Sequence, residues 1–252
     1  MIAVISPAKS LDYKRPLPPL GPTEPRFGEE ALQLARSAAR LPKKKLGELM
    51  HISDALAELN ARRFRGFEEQ EERPALYAFA GDVYMGFEVH SLDEEAVLFA
   101  QDHLRILSGL YGLLRPLDRI RAYRLEMGTP WAPGRAKNLY GFWGGRVAEQ
   151  MAEDLDATGG RTIVNLASKE YWKVAEAHLP AHIEVIEIDF REEGPEGLRF
   201  NTFAAKRARG MMARFICEHR LEDAEALKGF DSDGYAFDPG NSDDGRWRFR
   251  RT

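Results

Sequence analysis

Residues 104–128 read LRILSGLYGLLRPLDRIRAYRLEMG. The stretch opens like the end of an amphipathic helix, because Val97, Ala100, Leu104 and Leu107 recur at three- and four-residue intervals. Upstream, Ser91-Leu92-Asp93-Glu94 has the form of a capping box, with Ser91 at the N-cap and Glu94 at N3. Gly109 stands where the left-handed residue that ends a helix belongs. Gly112 and Pro116 break the chain again, and arginine recurs at Arg115, Arg119, Arg121 and Arg124. The pattern predicts a helix ending near Leu107, a tight glycine-bearing turn and a basic continuation.

A turn of that kind can present backbone N–H groups to a phosphate, and neighbouring arginines add counterion release. Ser108-Gly109-Leu110-Tyr111-Gly112 therefore resembles the hairpin of a helix-hairpin-helix element. Its second helix would start at Pro116, since proline is tolerated at the first helical position. Two residues separate the glycines here, where that element usually has one. A glycine C-cap followed by a proline turn is the plain alternative.

On either side, helical and strand patterns interleave. Residues 2–6 read as a short buried strand, and 14–27, with five prolines, as an extended loop. Residues 29–41, 43–50 and 53–64 read as helices, the last capped by Ser53. Residues 75–79 and 162–166 read as strands, and Ser168 caps the helix that follows the second. Val147, Ala148, Met151 and Leu155 mark another amphipathic helix. Residues 183–190, IEVIEIDF, alternate as a strand does, with a partner at 198–203. Ala208, Met211, Met212, Phe215 and Ile216 keep helical spacing, and the terminal RWRFRR alternates again. No repeat or linker divides the 252 residues. These patterns predict one α+β domain, 1–252, with a mixed β-sheet surrounded by helices.

Composition sets limits. The hydrophobic fraction is 44% and the charged fraction 30%, as in water-soluble globular chains. The lone cysteine, Cys217, excludes an internal disulfide. The N-terminus lacks the form of a signal peptide, and no apolar run approaches the roughly 20 residues of a membrane span. A cytoplasmic location is expected. The net charge of −4 argues against wholesale nucleic-acid binding, but cations cluster in the arginine run and at residues 206–214. An acidic protein can carry one basic cleft, although a solvated face accounts for any single run.

Three further stretches carry candidate chemistry. SPAKSLDY (6–13) leaves a strand directly, and strand-end loops are where α/β proteins place ligands. Lys9 and Asp12 there suit a phosphate clamp and an acid/base partner. VNLASKEYW (164–172) passes from strand to helix through Asn165 and Ser168, so its helix N-terminus offers unpaired N–H groups to an anion. AAKRARGMMARF (204–215) holds Lys206, Arg207, Arg209 and Arg214 and no acid. Gly210, among these arginines, implies close approach of a backbone or ligand. There is no phosphate-loop glycine motif, no HExxH and no paired CxxC, and His178 and His182 flank Pro180. No metal or cofactor is expected.

SPAKSLDY, GDVYMG (81–86), LRILSGLYGLLRPLD (104–118), YRLEMGT (123–129), NLYGFWG (138–144), VNLASKEYW, KRARGMMARF (206–215), GYAFD (234–238) and WRFRR together resemble the YaaA family of bacterial peroxide-stress proteins. The resemblance runs nearly end to end and is weakest over 14–72. It implies a cytoplasmic protein that limits oxidative, iron-linked DNA damage and binds double-stranded or branched DNA in a basic cleft. Its helix-hairpin-helix-like element would be the 108–112 turn. Carried onto this chain, phosphate contacts fall to Ser108, Gly109, Gly112, Arg115, Arg119 and Arg124, facing Lys9, Lys206, Arg207 and Arg209. The alternative is an enzyme acting on a nucleotide, nucleobase or nucleic acid with Lys9, Asp12 and Lys206.

Overall fold

Ile2–Ile5 is apolar at every position and buried at every position, which places it inside a sheet rather than at its edge. The computed structural model describes residues 1–195 and 197–251. Its strands are β1 (Ile2–Ile5), β2 (Ser10–Leu11), β3 (Arg73–Pro74), β4 (Phe79–Ala80), β5 (Leu104–Ser108) and β6 (Gly112–Leu114). There follow β7 (Arg119–Ile120), β8 (Thr162–Asn165), β9 (Glu184–Gly194), β10 (Gly197–Arg199), β11 (Tyr235–Phe237) and β12 (Arg246–Arg251). The helices are α1 (Gly28–Ala39), α2 (Lys43–Met50), α3 (Asp54–Arg65), α4 (Ala75–Ala78) and α5 (Asp82–Phe87). The remainder are α6 (Glu94–His103), α7 (Leu139–Trp143), α8 (Arg146–Ala157), α9 (Lys169–Glu176) and α10 (Thr202–Glu218).

The main sheet is mixed, in the order β11-β12-β9-β8-β1-β5-β6, with β10 folded back on β9. From β12 to β5 all neighbours are parallel, and β11 and β6 close the two edges antiparallel. Along β9, Ile186, Ile188 and Phe190 alternate inward. Phe190 meets Phe230, Tyr235 and Phe249 at ring distances of 5.1–6.0 Å. Helix α10 packs on β1, β9, α5 and α6, and α8 packs on β6 and α9. One hydrophobic core joins these layers. The expected mixed sheet surrounded by helices is what the chain forms.

The 104–128 stretch departs from expectation. Helix α6 ends at His103, and Leu104 is already extended, with φ −116° and ψ 139°. Ala3, Val4 and Ile5 of β1 pair with Leu104, Arg105 and Ile106. Every residue of β5 is buried, so this central strand shows no alternation and mimics the helical spacing of Val97 and Ala100. Ser108 then pairs antiparallel with Gly112. The expected helix-hairpin-helix element is a β-hairpin.

Three smaller expectations also fail. The strand expected at 198–203 ends at Arg199, and Thr202 already opens α10. Asp93, not Ser91, caps α6, its Oδ1 accepting the Ala96 N–H at 2.7 Å. Residues 75–78 form a single helical turn between two-residue strands. Among the described residues, no helix is long and apolar enough to cross a membrane.

Candidate anion-binding crevice at the strand ends

Strands β1 and β8 lie side by side and parallel, but their continuations diverge. After β1 the chain returns to the sheet as β5 on one side; after β8 it passes through α9 to β9 on the other. Such a switch point leaves a crevice at the carboxyl ends of the strands, the usual ligand position in α/β sheets. Ser6 and Ser168 meet there. The Ser168 N–H donates to Ser6 Oγ at 2.9 Å, and the two hydroxyls are 3.4 Å apart. Tyr84 donates its hydroxyl to the Ser6 carbonyl at 3.2 Å and so ties α5 to the same point.

The start of α9 is left open. Ser168 sits at the N-cap but makes no side-chain cap, so the N–H groups of Lys169 and Glu170 have no acceptor among the described residues. Asn165, buried at the end of β8, accepts the Ala167 N–H at 3.0 Å through Oδ1. Its Nδ2 has no partner among the described residues.

A carboxylate closes one side. Glu126 Oε1 lies 3.4 Å from Lys9 Nζ and 2.9 Å from Arg124 Nε. Lys9 is 66% exposed and Glu126 13% exposed, so the lysine remains open to solvent above its partner. Glu126 Oε2 is enclosed without a donor. Glu170 is held nearby, accepting the Gly128 N–H at 3.0 Å.

The other side is α10. Helix α5 crosses it at glycines: a Cβ on Gly86 would fall 2.1 Å from the Arg207 carbonyl oxygen. At the start of α5, a Cβ on Gly81 would lie 3.1 Å from that of Ala8. The six residues of α5, about 9 Å of helix, thus span from the β1 loop to Arg207. Lys206 and Arg207 are exposed and have no carboxylate within 4 Å among the described residues, as is true of Lys169 and Lys173. Lys206 stands 6.0 Å from the ring centre of Phe203, which is 74% exposed. Arg209 turns inward instead.

A family model described as peroxide stress protein YaaA matches residues 1–241. The chain belongs to this family. A UPF0246 protein of Rhizorhabdus wittichii is 63% identical over 252 residues, covering all of both chains. One from Caulobacter vibrioides is 46% identical over 253 residues, covering all of this chain and 99% of that one. One from Hahella chejuensis is 44% identical over 255 residues, with the same coverage.

In this YaaA-family chain the structure divides the expected contact residues into two sets. Lys9 lies at the crevice, and Lys206 and Arg207 stay exposed on α10, Arg207 lining a groove with Glu88, Glu218 and Asp231. Ser108, Gly109 and Gly112 do not: all three are buried in the β5–β6 hairpin. A Cβ on Gly109 would fall 2.2 Å from the Leu125 carbonyl oxygen, and Gly112 lies against the Trp143 ring. Their N–H groups cannot meet a phosphate at the surface. Arg115 chelates buried Asp118 at 2.9 and 3.0 Å. Arg119 pairs with Glu24 at 3.2 Å and Glu72 at 3.9 Å. Arg124 is held by Glu126.

Asp12 does not join Lys9 either. Its carboxylate accepts the N–H groups of Lys14 and Arg15, which hold its pKa below the ordinary value, and it pairs with Arg15 at 3.3 Å. It opens onto a groove of about 390 Å³ lined by Tyr77, Tyr84 and His90. A larger cavity, about 520 Å³ between Trp172, Val185 and Arg246, lies away from the crevice. Lys169 and Lys173 were not singled out from the sequence, although their place just beyond a strand–helix junction is a signal for them.

Proposed function

We propose that this is a cytoplasmic DNA-binding protein of the peroxide-stress response that helps limit iron-linked DNA damage. It would grip the DNA backbone at the strand-end crevice. The observation that carries this reading is the distribution of unpaired charge. The arginines of 115–124 are neutralised by Asp118, Glu24, Glu72 and Glu126. Lys206, Arg207, Lys169 and Lys173 are exposed with no carboxylate within 4 Å among the described residues, and Lys9 is 66% exposed. Unpaired, solvent-facing cations are those that release counterions from a phosphate backbone.

Among the described residues no helix presents a row of base-reading side chains with these cations, so the contact is with phosphate and is tolerant of sequence. Phe203, exposed beside Lys206, adds a ring on which an unpaired base can stack, which favours branched over plain duplex DNA. The test is fluorescence anisotropy of the purified protein with a labelled duplex and a labelled four-way junction at 50 and 200 mM salt. Binding that weakens about 10³-fold across that range supports contact with six or more phosphates. No binding to either DNA at 50 mM overturns the reading.

A further inference from the structure

The chain holds seven methionines and one cysteine, and their burial separates one sulfur from the rest. Met127, Met151, Met212 and Cys217 are each 0% exposed, and Met1 and Met50 are buried as well. Met211 is partly buried against the core. Met85, on α5, is 64% exposed.

A cysteine is ordinarily the first sulfur that a peroxide attacks, and here the fold withholds it. A thiol reacts as its thiolate. Burial pushes the Cys217 thiol well above its ordinary pKa, and the side chain is closed to solvent. A thioether needs no deprotonation, so access to the sulfur decides which methionine reacts.

The backbone that carries Met85 is fixed by contacts in which its side chain has no part. Gly86 abuts the Arg207 carbonyl, and Gly210 of α10 abuts the Val83 carbonyl. The Met85 side chain instead lines two grooves. One is the groove of about 390 Å³ that Asp12 and His90 also line. The other, of about 280 Å³, is lined by Arg207, Met211 and Phe215 as well. An oxygen added to the Met85 sulfur therefore stays at the surface. The same oxygen on Met127, Met151 or Met212 would place an unpaired dipole in the core.

We propose that Met85 is the site at which a hydroperoxide modifies this chain, forming a surface methionine sulfoxide that leaves the fold intact. The sulfur lone pair attacks one peroxide oxygen, the O–O bond breaks and an S–O bond forms. The departing oxygen takes up the proton and leaves as water from hydrogen peroxide, or as an alcohol from an organic hydroperoxide. The thioether loses two electrons and the peroxide gains them. An apolar wall common to both grooves becomes a hydrogen-bond acceptor, so both turn more polar at the residue they share. The inference is independent of the DNA reading.

Timed exposure of the full chain to hydrogen peroxide, followed by peptide mass spectrometry, tests it. Met85 should gain one oxygen at least about tenfold faster than Met127, Met151 and Met212, and ahead of Met211, with Cys217 unmodified. The thermal midpoint by circular dichroism should not move while each chain carries a single added oxygen. Met85→Leu should remove the fast phase and leave the slow ones. Cys217 reacting first, a core methionine keeping pace with Met85, a fast phase that persists in Met85→Leu, or a midpoint that falls with the first sulfoxide overturns the proposal.

Discussion

Gly210 of α10 lies so close to Val83 of α5 that a Cβ on it would fall 1.8 Å from the Val83 carbonyl oxygen. Backbone meets backbone here, so no side chain can swing away to make room. Gly210→Ala should therefore destabilise the protein by about 2–3 kcal/mol, although alanine is the better helix former by ~1 kcal/mol. Gly47 of α2 is the control, because its Cβ would meet nothing closer than 3.4 Å. Gly47→Ala should be neutral or mildly stabilising. Urea unfolding of the two variants measures both effects; equal midpoints would show that the α5–α10 crossing yields.

Asp118 is fully buried, and its carboxylate is held by Arg115 from side chain and backbone and by the Thr23 hydroxyl at 2.6 Å. Arg115→Ala would leave that charge in the interior with part of its partners gone. The expected cost is about 3 kcal/mol of stability, read by thermal or urea unfolding. DNA affinity of the folded fraction should not change, since Arg115 already has its anion.

Lys206 and Arg207 should behave the opposite way. Each is exposed and unpaired, so replacement by alanine should leave the unfolding midpoint where it was. The double variant should bind DNA more weakly, and the slope of log affinity against log salt should fall by about 2, one for each lost phosphate contact. A full salt titration by anisotropy gives that slope directly. An unchanged slope would move the interface away from α10.

These contrasts show what the amino-acid pattern carries and what it does not. Helix α3, capped by Ser53 through the Leu56 N–H, is legible because cap and periodicity are local. So are the end of β1 before Pro7 and the junction from β8 into α9 at Ser168, both set by local pattern. The hairpin at 108–112 was not legible. Leu104 and Leu107 fit a helix face as well as a buried strand, and β1, a hundred residues away, decides between them. Charge pairing is non-local in the same way. An arginine run reads as a basic surface until Glu24 and Glu72 fold against it. Arg209 resembles its neighbours in sequence, and the rotation of α10 alone sets it apart.

All eight tyrosines have pKa values above the ordinary 10, each chiefly through burial. Tyr77 is pushed up to about 12, Tyr13, Tyr111 and Tyr123 rise further, and burial raises Tyr84 and Tyr171 well above 10. The unfolded chain therefore gives up these protons first as pH rises. The stability they contribute is complete below pH 10 and is lost above it, toward the folded-state values. Absorbance at 295 nm should stay nearly flat through pH 10 and then rise in one step with loss of the far-UV circular dichroism signal. Gradual ionisation centred near pH 10 in folded protein would contradict the buried tyrosine cluster.

Glu126 is the acid nearest the open cations, pairing with Lys9 and Arg124 while Oε2 stays without a donor. In a crevice that receives phosphate it acts against the ligand. Glu126→Gln keeps the shape and removes one negative charge, freeing Lys9 to meet an anion. DNA affinity at 50 mM salt should rise about three- to fivefold, the order of one partly screened charge pair, and the gain should shrink at 200 mM. A general acid or base at this position would lose its reaction in the same variant without any gain in binding. Anisotropy titrations of Glu126→Gln beside wild type therefore separate the two roles. Tighter, salt-sensitive binding assigns Glu126 to tuning the cleft, and weaker binding would mean that its carboxylate holds Lys9 and Arg124 in the positions that phosphate requires.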